Sequence, residues 1–183
     1  MFNMRFKIKG ILPLLFDNFA STLEDQIKKK KRTKANAAVG EWSEGQLYFS
    51  PESLKNGKCI SIPIKHWLEQ ALIEGARRVK VGRKSLKDEA PNMRVVEEYY
   101  DTDKTKPDII VKSFPKKDTG QRVYAEKPGL TKWTCEFTLC ILNDEVPEAK
   151  VNELIESVGM YQGLGAWRKK YGKFVVTDAK IVE

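Results

Sequence analysis

One histidine, His66, and three scattered cysteines, Cys59, Cys135 and Cys140, are all that this chain of 183 residues has of either type. A lone histidine cannot form a two-histidine acid–base pair, and no nucleophile is set beside a base. No Cys-x-x-Cys pair is present, so no metal site is expected. An odd number of unclustered thiols argues for a reducing compartment, read here as the cytoplasm, and against a disulfide framework. Cys135 and Cys140 sit five apart on an alternating segment and so face opposite sides, which excludes a bond between them within the strand. Apolar runs of membrane-spanning length are lacking, and Met1 leads into an alternating segment with no signal-peptide pattern. No membrane partner is therefore expected. A phosphate-binding loop needs Gly-Lys-Ser/Thr between a strand and a helix, and here Lys173 is followed by Phe174. A dinucleotide fingerprint likewise opens a helix from a strand. No cofactor is expected.

What the chain does have is positive charge. Lys and Arg outnumber Asp and Glu by 33 to 25, a net +8 with a pI near 9.3, which favours a polyanionic partner. A hydrophobic content of 41% is that of a globular chain, and the length suits a single domain over residues 1–183 with insertions.

Along the chain, residues 4–12 alternate apolar and basic as far as Gly10, the period of a strand with one buried face and Arg5, Lys7 and Lys9 on the other. Residues 13–20 are apolar but irregular. They run into Lys28, Lys29, Lys30, Lys31, Arg32 and Lys34, a self-repelling stretch expected to form a flexible basic insertion over about residues 23–40. That insertion is either a solvated loop or a mobile nucleic-acid arm. Residues 46–50 and 59–62 read as short strands around a turn at Pro51. Ile64, Trp67, Leu68, Ala71, Leu72, Gly75 and Val79 recur at helical spacing behind Pro63. His66 lies beside that stripe and reads as structural. Residues 93–100 and 108–114 read as strands within a hairpin-rich insertion over about residues 83–130, with a further extended piece broken at Pro128-Gly129. Trp133, Cys135, Phe137, Leu139 and Ile141 alternate as a long strand. Val151, Leu154, Ile155 and Val158 mark a second helix that Gly159 should stop. Residues 174–182 close the chain as a strand.

Stripped of insertions, this order predicts an α+β fold of the ferredoxin-like (RRM-like) βαββαβ kind, an antiparallel sheet with two helices on one face. RNA-recognition domains use that framework and offer the open sheet face to single-stranded bases.

Between the second helix and the last strand lies Gly163-Leu164-Gly165-Ala166-Trp167-Arg168-Lys169-Lys170-Tyr171-Gly172-Lys173-Phe174. Its glycines permit left-handed backbone and close approach. Arg168, Lys169, Lys170 and Lys173 can meet phosphates, and the Trp167 and Tyr171 rings can stack bases for ~1–3 kcal/mol each. A glycine-rich turn with a solvated basic rim, the Trp167 ring packed beneath it, is the alternative.

This helix, Gly163-x-Gly165-x-x-Arg168-x-x-x-Gly172-x-Phe174 and strand resemble the glycine-rich loop of the RAMP superfamily, which includes backbone and processing subunits of CRISPR complexes. The Ile62-Pro63-Ile64 entry to the first helix is similar to that of backbone-type members. The resemblance covers about half of the chain and brings no repeat-processing signature; a solitary phage or mobile-element relative fits equally. It implies single-stranded RNA held along the sheet and the glycine loop, often in a filament of like subunits. Gly163, Gly165 and Gly172 would then allow backbone approach, Arg168, Lys169 and Lys170 would meet phosphates, and Lys28 to Lys34 would form a mobile arm. Some backbone-type members cut RNA with an aspartate after the first strand, where Asp17 stands, but one carboxylate is thin support. The expectation is a non-catalytic RNA-binding protein. The alternatives are a phage-type single-stranded DNA-binding protein, or a protein that blocks a CRISPR complex by imitating a subunit.

Overall fold

The computed structural model describes residues 1–18, 43–113 and 124–182. Lys28, Lys29, Lys30, Lys31, Arg32 and Lys34 lie outside the described residues. In chain order the elements are β1 (Phe2–Gly10), β2 (Leu14–Leu15), α1 (Pro51–Lys55), β3 (Ser61–Ile62), α2 (Ile64–Gly75), β4 (Lys80–Val81), β5 (Lys84–Ser85), β6 (Met93–Val95) and β7 (Tyr100–Asp101). They continue with β8 (Ile109–Ser113), β9 (Ala125–Leu130), β10 (Thr134–Ile141), α3 (Glu148–Ser157) and β11 (Phe174–Val182). The architecture is mixed α+β, with antiparallel sheets and few helices.

The alternation in β1 buries Met4, Phe6 and Ile8 and exposes Arg5, Lys7 and Lys9. β10 alternates in the same sense, and Phe6 sits directly opposite Phe137, their rings 5.4 Å apart and 20° from parallel. The main sheet runs β11-β1-β10-β6 with every neighbouring pair antiparallel. α2 falls between β1 and β6 in the chain, and α3 between β10 and β11. Trp67, Leu68, Ala71 and Leu72 of α2 join Val151, Leu154 and Ile155 of α3 in one core with the inner faces of β1, β6 and β10. Each fully buried Val, Leu or Ile side chain here stabilises the fold by about 1.5–3 kcal/mol relative to exposure. The two helical segments approach closely because Gly75 has no side chain: a Cβ there would lie 2.6 Å from Cγ2 of Val158. A second sheet, β2-β9-β8, and the pairs β3-β7 and β4-β5 complete the described chain.

Several local expectations change. The strand expected over 46–50 is a 3-10 turn, Glu44–Gln46, and an extended piece whose Tyr48 carbonyl accepts from Ser61 N at 2.9 Å. Ser50-Pro51 starts a helix in place of a turn. The Ser50 hydroxyl accepts from Ser53 N at 2.9 Å and donates to Asp101 at 2.8 Å, the pattern of an N-cap ahead of a proline at N1. The strand expected over 93–100 splits into β6 and β7, and β8 pairs with β9. Pro128-Gly129 does not break β9, since Pro128 serves as an acceptor, taking Phe16 N at 2.9 Å on its carbonyl. Gly159 does not stop α3. The helix widens into a π turn, Val158–Gln162, closed by Gly163 N donating to Val158 O at 2.8 Å. Gly159 is there for space, because a Cβ would lie 2.4 Å from the Phe174 carbonyl oxygen.

Candidate nucleic-acid interface

The glycine loop is folded onto the segment read from sequence as irregular. Ala166 N donates to Leu15 O and Gly172 N to Pro13 O, both at 2.8 Å. Ile11 N and Leu12 N donate to Lys173 O at 2.8 and 3.3 Å. Inside the loop, Leu164 N reaches Gly172 O at 2.9 Å and Lys169 N reaches Gln162 O at 2.8 Å. Gly163, Gly165 and Gly172 all take positive φ, and so do Trp167 and Lys169. The close approach the glycines allow is filled by the chain itself: a Cβ would lie 2.4 Å from Leu15 O at Gly165 and 1.8 Å from Leu164 O at Gly172. At Gly163 the nearest atom is Tyr171 O, at 2.6 Å.

This frame sorts the side chains. Lys169 and Lys170 are exposed, and neither has an ion-pair partner among the described residues. The half-buried Trp167 and Tyr171 rings lie 6.3 Å apart and tilted by 45°, with the Lys170 ammonium 5.7 Å from the Tyr171 ring. Arg168 turns away, its Nη2 lying 3.4 Å from Glu74 of α2 and its Nη1 sealed without a partner among the described residues. Lys173 is only 9% exposed. Burial lowers the pKa of its ammonium, helped by the like charges of Arg78 and Lys169.

β11 leaves the loop opposite Gly10, so the loop sits at the Lys9 end of the main sheet. The outward face there is a ladder of rows. Lys180 and Thr138 flank Arg5, Asp178 and Glu136 flank Lys7, and Val175 and Thr134 flank Lys9. Cys140 lies beside Arg94 of β6. Lys7 is held by Glu136 at 2.9 Å, whose hydrogen bond and charge raise its pKa. Arg5, Lys9, Arg94 and Lys180 carry no ion-pair partner among the described residues, and all four are exposed. None of these outward residues is aromatic, so the face offers charge, not stacking. A cleft of about 860 Å³ adjoins its Lys9 end, lined among others by Tyr100, Lys104, Lys132 and Trp133.

The fold places the remaining candidates elsewhere. Asp17 is ion-paired to Lys127 at 2.5 Å, and its backbone carbonyl accepts from the Tyr48 hydroxyl at 3.1 Å. His66 is exposed on α2, its Nε2 3.3 Å from Gln70. Among the described residues no three His, Cys, Asp or Glu side chains gather to hold a metal, and no helix is long and apolar enough to cross a membrane. Sequence reading missed Arg78, whose guanidinium lies 4.5 Å from the Tyr161 ring of the π turn. Its one sequence signal was a basic cluster, Arg77-Arg78-Val79-Lys80, just past the α2 stripe. No protein-family model matches the chain, and no curated protein matches it.

Proposed function

We propose that this chain is a non-catalytic single-stranded nucleic-acid-binding protein, with RNA favoured over DNA. The observation that carries the reading is the number of exposed cations without an ion-pair partner among the described residues, Arg5, Lys9, Arg94 and Lys180 on the outward rows and Lys169 and Lys170 in the loop at the Lys9 end of the sheet. A flexible phosphate chain can follow such a track without base-specific contacts. The strand order β11-β1-β10-β6, with a helix spanning each of the two crossovers, supports reading the domain as ferredoxin-like. With the glycine loop ahead of the final strand, it supports the RAMP-like assignment and, with it, a filament of like subunits on one RNA. Bases in this reading stack at the loop, on Tyr171 and Trp167, because none of the outward residues described on the sheet is aromatic. Gly163, Gly165 and Gly172 act by shaping the loop, and the basic run from Lys28 to Arg32 adds phosphate contacts.

The test is fluorescence anisotropy with labelled single-stranded RNA, single-stranded DNA and duplex over a salt series. Binding should weaken steeply with salt, with a log–log slope of roughly 0.7 for each phosphate neutralised on a single strand. Lys169→Ala with Lys170→Ala should flatten that slope, and so should neutralising Lys28 to Arg32. Absence of any single-strand binding at low salt would end the reading and favour a protein that acts by imitating a subunit.

A further inference from the structure

Lys173 is unusual for a lysine. It is nine-tenths buried, no carboxylate pairs with it among the described residues, and no hydrogen-bond acceptor there meets its ammonium. An ammonium tethered by a buried stem beside other cations, with no carboxylate to answer it, is costly. The Nζ atom is not among the sealed polar atoms of the described residues, so the stem is buried while the ammonium reaches the surface. The charged groups that bear on it from neighbouring elements are also cations, Arg78 from beyond α2 and Lys169 from the loop. Glu74, the carboxylate on this side of α2, is taken by Arg168 at 3.4 Å.

The backbone that carries Lys169 and Lys173 is held in place, and so is the Arg78 guanidinium. Two backbone amides from residues 11 and 12 fix the Lys173 carbonyl, and Lys169 N is bonded to Gln162 O at 2.8 Å. Arg78 is positioned by the face of the Tyr161 ring at 4.5 Å and by no carboxylate among the described residues, which leaves its N–H edges to an acceptor there. A guanidinium fork and two ammonium groups match the several oxygens of one phosphate.

We infer that Arg78, Lys169 and Lys173 form the seat of a single phosphate group, where the π turn meets the base of the glycine loop. The inference deepens the strand-binding reading and rests on it for the source of that phosphate, an internucleotide linkage. A free phosphate or a mononucleotide is the other source of the same chemistry.

The test pairs two measurements on wild type, Lys173→Met and, should that variant fail to fold, Arg78→Gln. One is anisotropy with labelled oligouridine of about 15 nucleotides, long enough to span the loop and the sheet. The other is the thermal midpoint in sodium phosphate and in uridine monophosphate, each against sodium chloride of equal ionic strength. Wild type should gain a few degrees with phosphate and the variants none. Oligouridine affinity should fall roughly tenfold, the loss of one charge-assisted contact. Lys173→Met should itself melt higher than wild type without ligand, because it removes an unpaired ammonium set beside the like charges of Arg78 and Lys169. Oligouridine bound equally by wild type and variants, yet weakened by Lys170→Ala, overturns the seat and leaves strand binding standing. A phosphate or mononucleotide shift that requires Lys173, without any oligouridine binding, keeps the seat and overturns strand binding. No phosphate response and no dependence on Lys173 or Arg78 overturns the seat.

Discussion

Gly172 passes so close to Leu164 that a Cβ added to it would stand 1.8 Å from the Leu164 carbonyl oxygen, and that oxygen belongs to backbone. Gly172 also has φ 68, where L residues carry a penalty of roughly 1–2 kcal/mol. Gly82, with φ 60 and nothing within 4 Å of its would-be Cβ, is the natural control. Gly82→Ala should cost only that backbone penalty, about 1 kcal/mol. Gly172→Ala should cost about 3 kcal/mol or more, since the loop must also open. Urea denaturation of both variants measures the difference, and equal costs would mean that the crossing is soft.

Cys135 is buried beneath the sheet, and burial raises its thiol well above the ordinary value of 9.0. Cys59 and Cys140 are half-buried. A native-state labelling experiment with a thiol reagent should therefore modify Cys59 and Cys140 first and reach Cys135 only on unfolding. The same shift sets a pH dependence. Above about pH 9 the unfolded thiol ionises while the folded one keeps its proton, so the folded state binds more protons and stability falls as pH rises. Cys135→Ala should remove that alkaline loss, at the cost of a small cavity.

For Lys173 the sign is opposite. Its folded pKa is lowered from 10.5, so between that lowered value and 10.5 the unfolded state binds more protons and stability rises with pH. The advantage of Lys173→Met over wild type should thus be largest near neutral pH and shrink as pH climbs toward 10.5. Melting both proteins across that range checks the prediction; a constant difference would show that the ammonium is not what destabilises.

Glu97 holds β10 by two bonds, accepting Thr138 N at 2.6 Å and the Thr138 hydroxyl at 2.8 Å. Glu97→Ala leaves both donors short of a partner on a residue that is 8% exposed, a cost of about 1–3 kcal/mol. Thr138→Val with Glu97→Ala should recover part of it, and a double-mutant cycle reads the coupling.

On the outward face, Arg5 and Lys180 share a row and neither has an ion-pair partner among the described residues, whereas Lys7 is answered by Glu136 at 2.9 Å. Removing Arg5 and Lys180 together should flatten the salt dependence of RNA binding by roughly 1.4, or 0.7 for each charge. Removing Lys7 and Glu136 together leaves the charge of the face unchanged and should leave the slope unchanged. If the two pairs behaved alike, the sheet would not be part of the track.

Much of the frame was legible in the residues. The alternation of Met4, Phe6 and Ile8 with Arg5, Lys7 and Lys9, the stripe from Ile64 to Gly75, and the closing strand from Phe174 to Val182 all stand where periodicity put them. A period of two or of about 3.6 records which side of an element meets the core, and that record is local. The turn and helix start around residues 44–51 were not legible, because a Ser-Pro cap decides them and its partner, Asp101, comes from far along the chain. The glycine loop was recognisable by composition, yet residues alone could not say that its glycines are spent on crossings with Leu15 and Leu164. Nor could they bring Arg78, which follows α2, and Lys173, far later in the chain, to bear on one another. Charge and periodicity are properties of neighbours in sequence and determined by themselves a basic α+β domain with one outward cationic face. Which cations stay unpaired, and which converge, depends on distances between segments remote in the chain, and only the packed tertiary structure sets those.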